Sequence, residues 1–326
     1  MIYDKVFEKN ARRHSPLHPR LHCDPYLGPM PRIIVEAAEA LLDQEIPVLD
    51  KGFVRLVDYM GGDQRIVQAA RVSYGSGTKS YRQDRGLIHY LMKNWHTSPF
   101  EQVQLTFHTK MPIFVARQWV RHRTARLNEI SGRYSVMKDE FYLPDPENIR
   151  PQSDNNKQGR SEERFSDAEE QEVIRLFADE QRSVYANYQH LLDLNVAREL
   201  ARNNLPLSLY TEWYWQIDLH NLFHFIKLRM DPHAQYEIRV YAEALAECAK
   251  AVAPIAYEAF EEHILGSVAF SRTECEALAT MLAGGAVDLK GKSLEAFEAK
   301  VAKLKTAVPV DQPEEPQPPQ PLPTRE

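Results

Sequence analysis

Residues Arg121 to Ser135 read RHRTARLNEISGRYS, the stretch richest in groups able to do chemistry. Arg121, His122, Arg123, Arg126 and Arg133 fall within thirteen residues, with Glu129 alone opposing them. Guanidinium forks match phosphate oxygens bidentately, so clustered arginine points to a phosphate-bearing ligand. Ser131 and Gly132 allow backbone N–H groups to approach such a ligand, and Asn128 and Glu129 add directional hydrogen-bonding groups. The plain alternative is a solvated basic face at a helix end, the usual fate of a charge run.

The elements around this stretch must bring other groups to it. Pro112 opens a helix through about Arg121, which puts Arg117 and Gln118 on the face of Arg121. Gln102–Lys110 alternates, with Val103, Leu105 and Phe107 on one side, and predicts a half-buried strand. Leu209–Ile217 does the same with Trp213, Trp215 and Ile217. A further strand is expected over Phe53–Tyr59. Helices are expected over Pro31–Leu42 (Ile34, Ala38 and Leu41 on one face) and after a capping Asp63. Others are expected over Asp84–Asn94 (Leu87, Tyr90 and Leu91 inward), Val196–Asn203, Leu219–Met230 and Pro232–Ala251. Ser166 and Glu169 form a capping box ahead of a long helix with Val173, Phe177, Val184, Tyr188 and Leu191 inward. A second box is read at Thr273 and Glu276, and a short helix over Ser293–Lys305. The fold class is α+β, with a mixed or antiparallel sheet and packed helices. Residues 1–45 read as an N-terminal extension, 46–266 as the main domain and 267–306 as a C-terminal helical extension. Residues 307–326 read as a disordered Pro-rich tail.

Bulk properties narrow the function. The 326 residues carry a formal net charge of −6, which argues against a duplex-binding protein. Cys23, Cys248 and Cys275 form no CxxC pair, so neither a disulfide framework nor a zinc cage is expected, and a reducing cytoplasm fits. No signal-peptide core and no run of about 18 apolar residues is present, so no membrane partner is expected. No Rossmann GxGxxG fingerprint occurs. His220 and His224, four apart, could pair on a metal with His233 as a third ligand. They lack an HExxH pattern, and packed or hydrogen-bonded histidines are the commoner case. Cys248 in AEALAECAKAVA reads as packing rather than as a nucleophile.

The composite RHRxxxxNExSxRY resembles the signature of flavin-dependent thymidylate synthases. ARVSY (70–74), SPFE (98–101), PIFVARQWVRHR, LARNNLPLSLYTEWYW and FIKLRMDPHAQYEIR resemble further family segments in the same order, and the resemblance spans about Lys51 to Glu262. It implies methylation of dUMP to dTMP with FAD as cofactor and with NADPH and 5,10-methylenetetrahydrofolate as co-substrates. It also implies a homotetramer whose sites are shared between subunits, so that a lone chain shows an incomplete pocket. By position it places Gln118, Arg121, Glu129, Ile130, Ser131, Gly132, Arg133, Arg202 and Arg229 at dUMP. It places Ser73, Ser98, Glu101, Arg121, His122, Arg123, Glu129, Asp218, His220 and His224 at FAD. Asp218-Leu219-His220 departs from the family's N-x-R, and His224 from its Asn. Arg229 is the residue implied to act on the uracil ring, against the alternative of a salt bridge to Glu237. Ser131 is a positioning group, since no base–orienter pair stands beside it in the sequence. Two rivals remain: a nucleotide- or RNA-binding module using the arginines, and a metal-dependent hydrolase using His220 and His224.

Overall fold

The computed structural model describes residues 32–72, 81–154 and 159–307. Ser73, Cys23, Pro31 and the tail from 308 lie outside the described residues.

Five strands form one sheet: β1 (Glu45–Val48), β2 (Gly52–Met60), β3 (Gln104–Pro112), β4 (Arg126–Glu129) and β5 (Tyr210–Asp218). Their order is β1-β2-β3-β5-β4, and every ladder is antiparallel. The expected alternation of β3 and β5 is present, and the register sets Phe107 opposite Trp215 and Leu105 opposite Ile217. A side-chain period of two sends all of these into the same core. β1 and β4 were not anticipated. The β4 run Arg-Leu-Asn-Glu has no apolar alternation, and all four residues are exposed. Its backbone pairing with Trp213–Gln216 makes it a strand and leaves it at the sheet edge.

Helices α4 (Ile113–Trp119), α7 (Leu219–Arg229) and α8 (Tyr236–Val252) cover the inner face. They meet at Trp119, which is fully buried. Its indole stands edge-on to Trp213 and Trp215, with centroids 5.5 and 5.2 Å away, and packs on Phe225 at 4.9 Å and Tyr241 at 5.9 Å. Edge-to-face pairs of this kind add to area burial. The rest of the chain supplies α1 (Glu36–Glu39), α2 (Asp63–Arg71), α3 (Tyr81–Lys93), α5 (Asp167–Asp193), α6 (Arg198–Ala201), α9 (Pro254–Phe260), α10 (Arg272–Leu282) and α11 (Lys292–Ala307).

Several expectations need correction. The helix expected over 31–42 is one turn, because Leu42 bridges to Leu56 and Asp43 turns left-handed at φ 57°. Ile34 is consequently exposed. Asp63 does not cap its own helix. Its carboxylate accepts from Ile255 N and Ala256 N at the start of α9, and burial raises its pKa to about 6. On α3, Ile88 and Leu91 face inward while Tyr90 is exposed. On α5 the capping box at Ser166 and Glu169 is present, but of the expected stripe Tyr188 is buried and Phe177 is exposed. The second capping box is Ser271 with Glu274, two residues before the expected pair. Glu276 serves Arg272 instead, at 2.6 Å.

Trp119 makes the fold testable. Trp119→Ala should cost about 3–5 kcal/mol of unfolding free energy and Trp119→Phe clearly less, read from urea midpoints. Equal, small losses in both variants would show that the indole is not the packing centre.

Candidate active site

Helix α4 ends at Trp119, and Arg121, His122 and Arg123 follow it directly. With Trp119 fixed in the core, Gln118 and His122 are turned toward the end of α7. There Arg229 donates from Nε to His122 Nε2 at 3.2 Å and from Nη2 to the Gln118 carbonyl at 3.1 Å. Arg229 is half-buried and does not pair with Glu237. Burial, and then the neighbouring Arg121, lower its pKa, although a guanidinium stays charged. The same surroundings act on His122. Burial comes first, then Arg229 and His224, and together they lower its pKa to about 4. His122 is therefore neutral at neutral pH and can accept from Arg229. Its ring also packs edge-on to Phe225 at 4.7 Å and lies 5.7 Å from His224.

A second group forms where the chain leaves β4. Glu129 accepts from the Thr211 hydroxyl at 2.6 Å, and Ile130 N donates to Glu212 O at 2.9 Å, which ties the loop to β5. The Ser131 carbonyl accepts from Tyr134 N and Ser135 N, and its hydroxyl accepts from Arg133 N at 3.3 Å. Neither an imidazole nor a carboxylate is bonded to that hydroxyl among the described residues, so Ser131 has no activating base. Gly132 is buried against Arg202. A Cβ at 132 would lie 3.0 Å from Arg202 Cδ and 2.9 Å from Met137 Sδ. Arg202 itself opens a short 3₁₀ turn (Arg202–Asn204) after α6. Arg133 is exposed and lies 3.5 Å from Glu199, a solvent-screened tie of little energy.

A third group surrounds a cavity of about 190 Å³. Trp95, His96 and Thr97 face His220, His224 and Lys227 across it, over an apolar floor that includes Phe100, Phe223 and Phe260. His220, His224 and Lys227 are spaced i, i+4 and i+7, one stripe of α7. Thr97 donates to Glu101 at 3.0 Å, and Ser98 follows it on the exposed rim. Trp95 holds φ 60°, a left-handed conformation uncommon for a bulky side chain, and is largely exposed. Asp218 caps α7: Oδ1 accepts from Asn221 N at 2.9 Å and Oδ2 from Asn221 Nδ2 at 2.7 Å.

The sequence-predicted residues thus fall into three groups. Gln118, Arg121, His122 and Arg229 come together. Ser131, Gly132, Arg133 and Arg202 come together. His220 and His224 share the cavity with Thr97. His224, beside His122, joins the first group to the third. His233 does not join His220 and His224; it is exposed and lies 2.8 Å from Asp231. Trp95, His96, Thr97 and Lys227 were missed by the sequence reading. The i+7 position of Lys227 after His220 was the one signal that could have found it.

The chemistry of the donor set fits an anionic cofactor. Among the described residues Arg121, Arg123, Arg126, Arg202 and Arg229 have no carboxylate within ion-pair distance. Guanidinium groups left without carboxylates favour phosphate oxygens, and the partly apolar cavity beside His224 favours a flat ring.

Comparison with known proteins decides the family. The family model described as thymidylate synthase complementing protein matches residues 55–255, and the one described as thymidylate synthase ThyX C-terminal domain matches 268–307. The flavin-dependent thymidylate synthase of Treponema denticola is 62% identical over 260 residues, 80% of this chain and 98% of that one. The chain belongs to the flavin-dependent thymidylate synthase family. The Treponema pallidum member is 56% identical over 276 residues, covering 85% of this chain and 90% of its own. Among solved structures, a UMP/dUMP methylase, PolB from Streptomyces cacaoi bound with 5-Br dUMP, superposes with TM-score 0.60 at 34% identity. That match covers 67% of this chain and 97% of PolB.

Two expected outcomes follow from this geometry. The His122 pKa is lowered from 6.5 to about 4, so the unfolded chain binds the extra proton as pH falls between those values. The stability that His122 contributes is present above about pH 6.5 and is lost as pH drops toward 4. NMR of labelled histidine should show His122 neutral at pH 5.5; a ring titrating near its ordinary value would refute the burial. Asp218→Ala should cost about 1 kcal/mol of stability through the lost cap, with any fall in flavin content no larger than that loss explains. Lost flavin at unchanged stability would make Asp218 a cofactor ligand instead.

Proposed function

We propose that the three groups of side chains divide the work of one reaction on dUMP. The chain is an enzyme that methylates dUMP to dTMP, with FAD as cofactor and NADPH and methylenetetrahydrofolate as co-substrates. Bound FAD supplies, after reduction by NADPH, the hydride that completes the methyl group carried in by the folate.

In this reading the nucleotide contacts Gln118, Arg121, the loop Glu129–Arg133, Arg202 and Arg229. Arg202, lying against Gly132, meets the phosphate together with the backbone N–H groups of Ser131 and Gly132. The cofactor contacts Arg121, His122, Arg123 and Glu129, and the rim formed by Ser98, Glu101, His220 and His224. Asp218 serves that rim by capping α7. Ser73 belongs to the same cofactor set in the sequence reading.

Arg229 carries the argument. A half-buried guanidinium held by a neutral imidazole and a backbone carbonyl keeps its full charge for a ligand. It stands ready before negative charge develops on the uracil N3–O4 edge, which is the condition for electrostatic preorganisation. Placed there, it makes C5 more electron-rich and able to attack the one-carbon unit.

A homotetramer is part of the same proposal. β4 is an edge strand, and an edge leaves backbone groups open to a partner. Leu127, Ile130, Tyr134, Val136 and Tyr214 are exposed around it. A second subunit laid on this face would close the open side of the arginine cluster. The proposal also takes 46–266 as the catalytic domain and 267–306 as a helical extension. A cytoplasmic setting agrees with the free thiols of Cys248 and Cys275.

Arg229→Ala should lower kcat at least 100-fold while the purified protein keeps its flavin absorbance. Near-normal turnover in that variant overturns the assignment. Arg202→Ala should raise the KM for dUMP at least tenfold with a smaller effect on kcat. Light scattering of the purified protein should give four times the chain mass.

A further inference from the structure

Gln118 is held twice. Its backbone carbonyl accepts from Arg229, and its side chain belongs to a chain of hydrogen bonds leading away from the site. Gln118 Nε2 donates to Gln235 Oε1 at 2.6 Å, and Gln235 Nε2 donates to Glu237 Oε2 at 2.8 Å. Glu237, on the first turn of α8, is 1% exposed. Its other oxygen accepts from the Tyr142 hydroxyl at 3.0 Å and from the Arg160 guanidinium. Arg160 lies in the polar stretch ahead of α5 and forms an isolated bridge with Gln152. Burial and the Glu237 carboxylate raise the Tyr142 pKa, so the phenol remains a donor.

The polarity of this chain is fixed from its buried end. An ionised carboxylate accepts and cannot donate. Gln235 must therefore turn its amide N–H₂ toward Glu237 and its carbonyl toward Gln118. Gln118 must in turn spend an N–H on Gln235. With the amide reversed, two carbonyl oxygens would face each other at 2.6 Å.

We propose that Arg160, Glu237 and Gln235 are positioning residues that set the orientation of the Gln118 amide, so that Gln118 presents its Oε1 acceptor to an O–H or N–H donor of dUMP. This rests on the reading that puts Gln118 at the nucleotide. It gives Arg160, remote from the site in sequence, a task there exerted through Glu237. The nucleotide group facing Gln118 Oε1 is then a sugar hydroxyl or a ring N–H.

Glu237→Gln is the informative variant, because it preserves shape while reversing the polarity. Its amide can donate to Gln235, Gln235 then turns its N–H₂ toward Gln118, and Gln118 turns donors toward the nucleotide. Leaving a donor on dUMP unmatched should raise its Kd roughly tenfold, read by calorimetry on the flavin-loaded protein. KM for dUMP should rise in step, with flavin content and kcat at saturation little changed. Gln235→Leu, at a more exposed position, cuts the chain without disturbing the Arg160–Glu237 pair and should give a similar rise. It stands in if Glu237→Gln does not fold. Gln118→Ala separates the two layers of argument. If it leaves dUMP binding unchanged, the placement of Gln118 at the nucleotide fails and the proposal fails with it. If it weakens binding while Glu237→Gln and Gln235→Leu bind dUMP normally, the relay alone is overturned.

Discussion

The packing of Trp119 sets the geometry of everything functional. One indole contacts β5 through Trp213 and Trp215, α7 through Phe225 and α8 through Tyr241. Of these, α7 carries His220, His224 and Arg229, and α8 carries Glu237 with Gln235 at its N-cap. Trp119 also ends the helix that delivers Gln118 on one side and Arg121 to Arg123 on the other. A residue that fixes both the roll of its own helix and the spacing of three neighbours brings polar groups from distant sequence within hydrogen-bond reach.

The site works against its own electrostatics. Arg229 and Arg121 are neighbours of like charge, and His122 beside them is kept neutral by burial and by that charge. Among the described residues no carboxylate pairs with these guanidinium groups. Nearby acids are used elsewhere: Glu129 on Thr211, Glu237 on Arg160 and Tyr142, and Asp218 on the start of α7. The apolar hub tolerates the resulting repulsion, and an anionic ligand relieves it.

What the sequence made legible was local. The alternation of Leu105 and Phe107, and of Trp213, Trp215 and Ile217, gave two central strands because one face of each is buried. The arginine cluster was visible because its members are close in sequence. What stayed hidden depends on contacts between distant segments. β4 has no pattern of its own and exists through pairing with β5. The stripe from Val173 to Leu191 looked uniformly apolar, but only its Tyr188 end meets a core cluster, and Phe177 stays exposed. Ser271 and Thr273 both begin an S/T-x-x-E pattern, and backbone geometry selects the first. Arg202 against Gly132, and Glu237 behind Gln118, are 70 and 119 positions apart, beyond any local pattern.

The contact between Gly132 and Arg202 constrains how such a chain can change over time. A methyl group at 132 would intrude on the side chain of Arg202 and on Met137. A side chain at 132 therefore has to push aside the far ends of Arg202 and Met137, and the glycine leaves the Arg202 guanidinium where it lies. A lineage that enlarges residue 132 must let the Arg202 side chain swing to another position or shorten it.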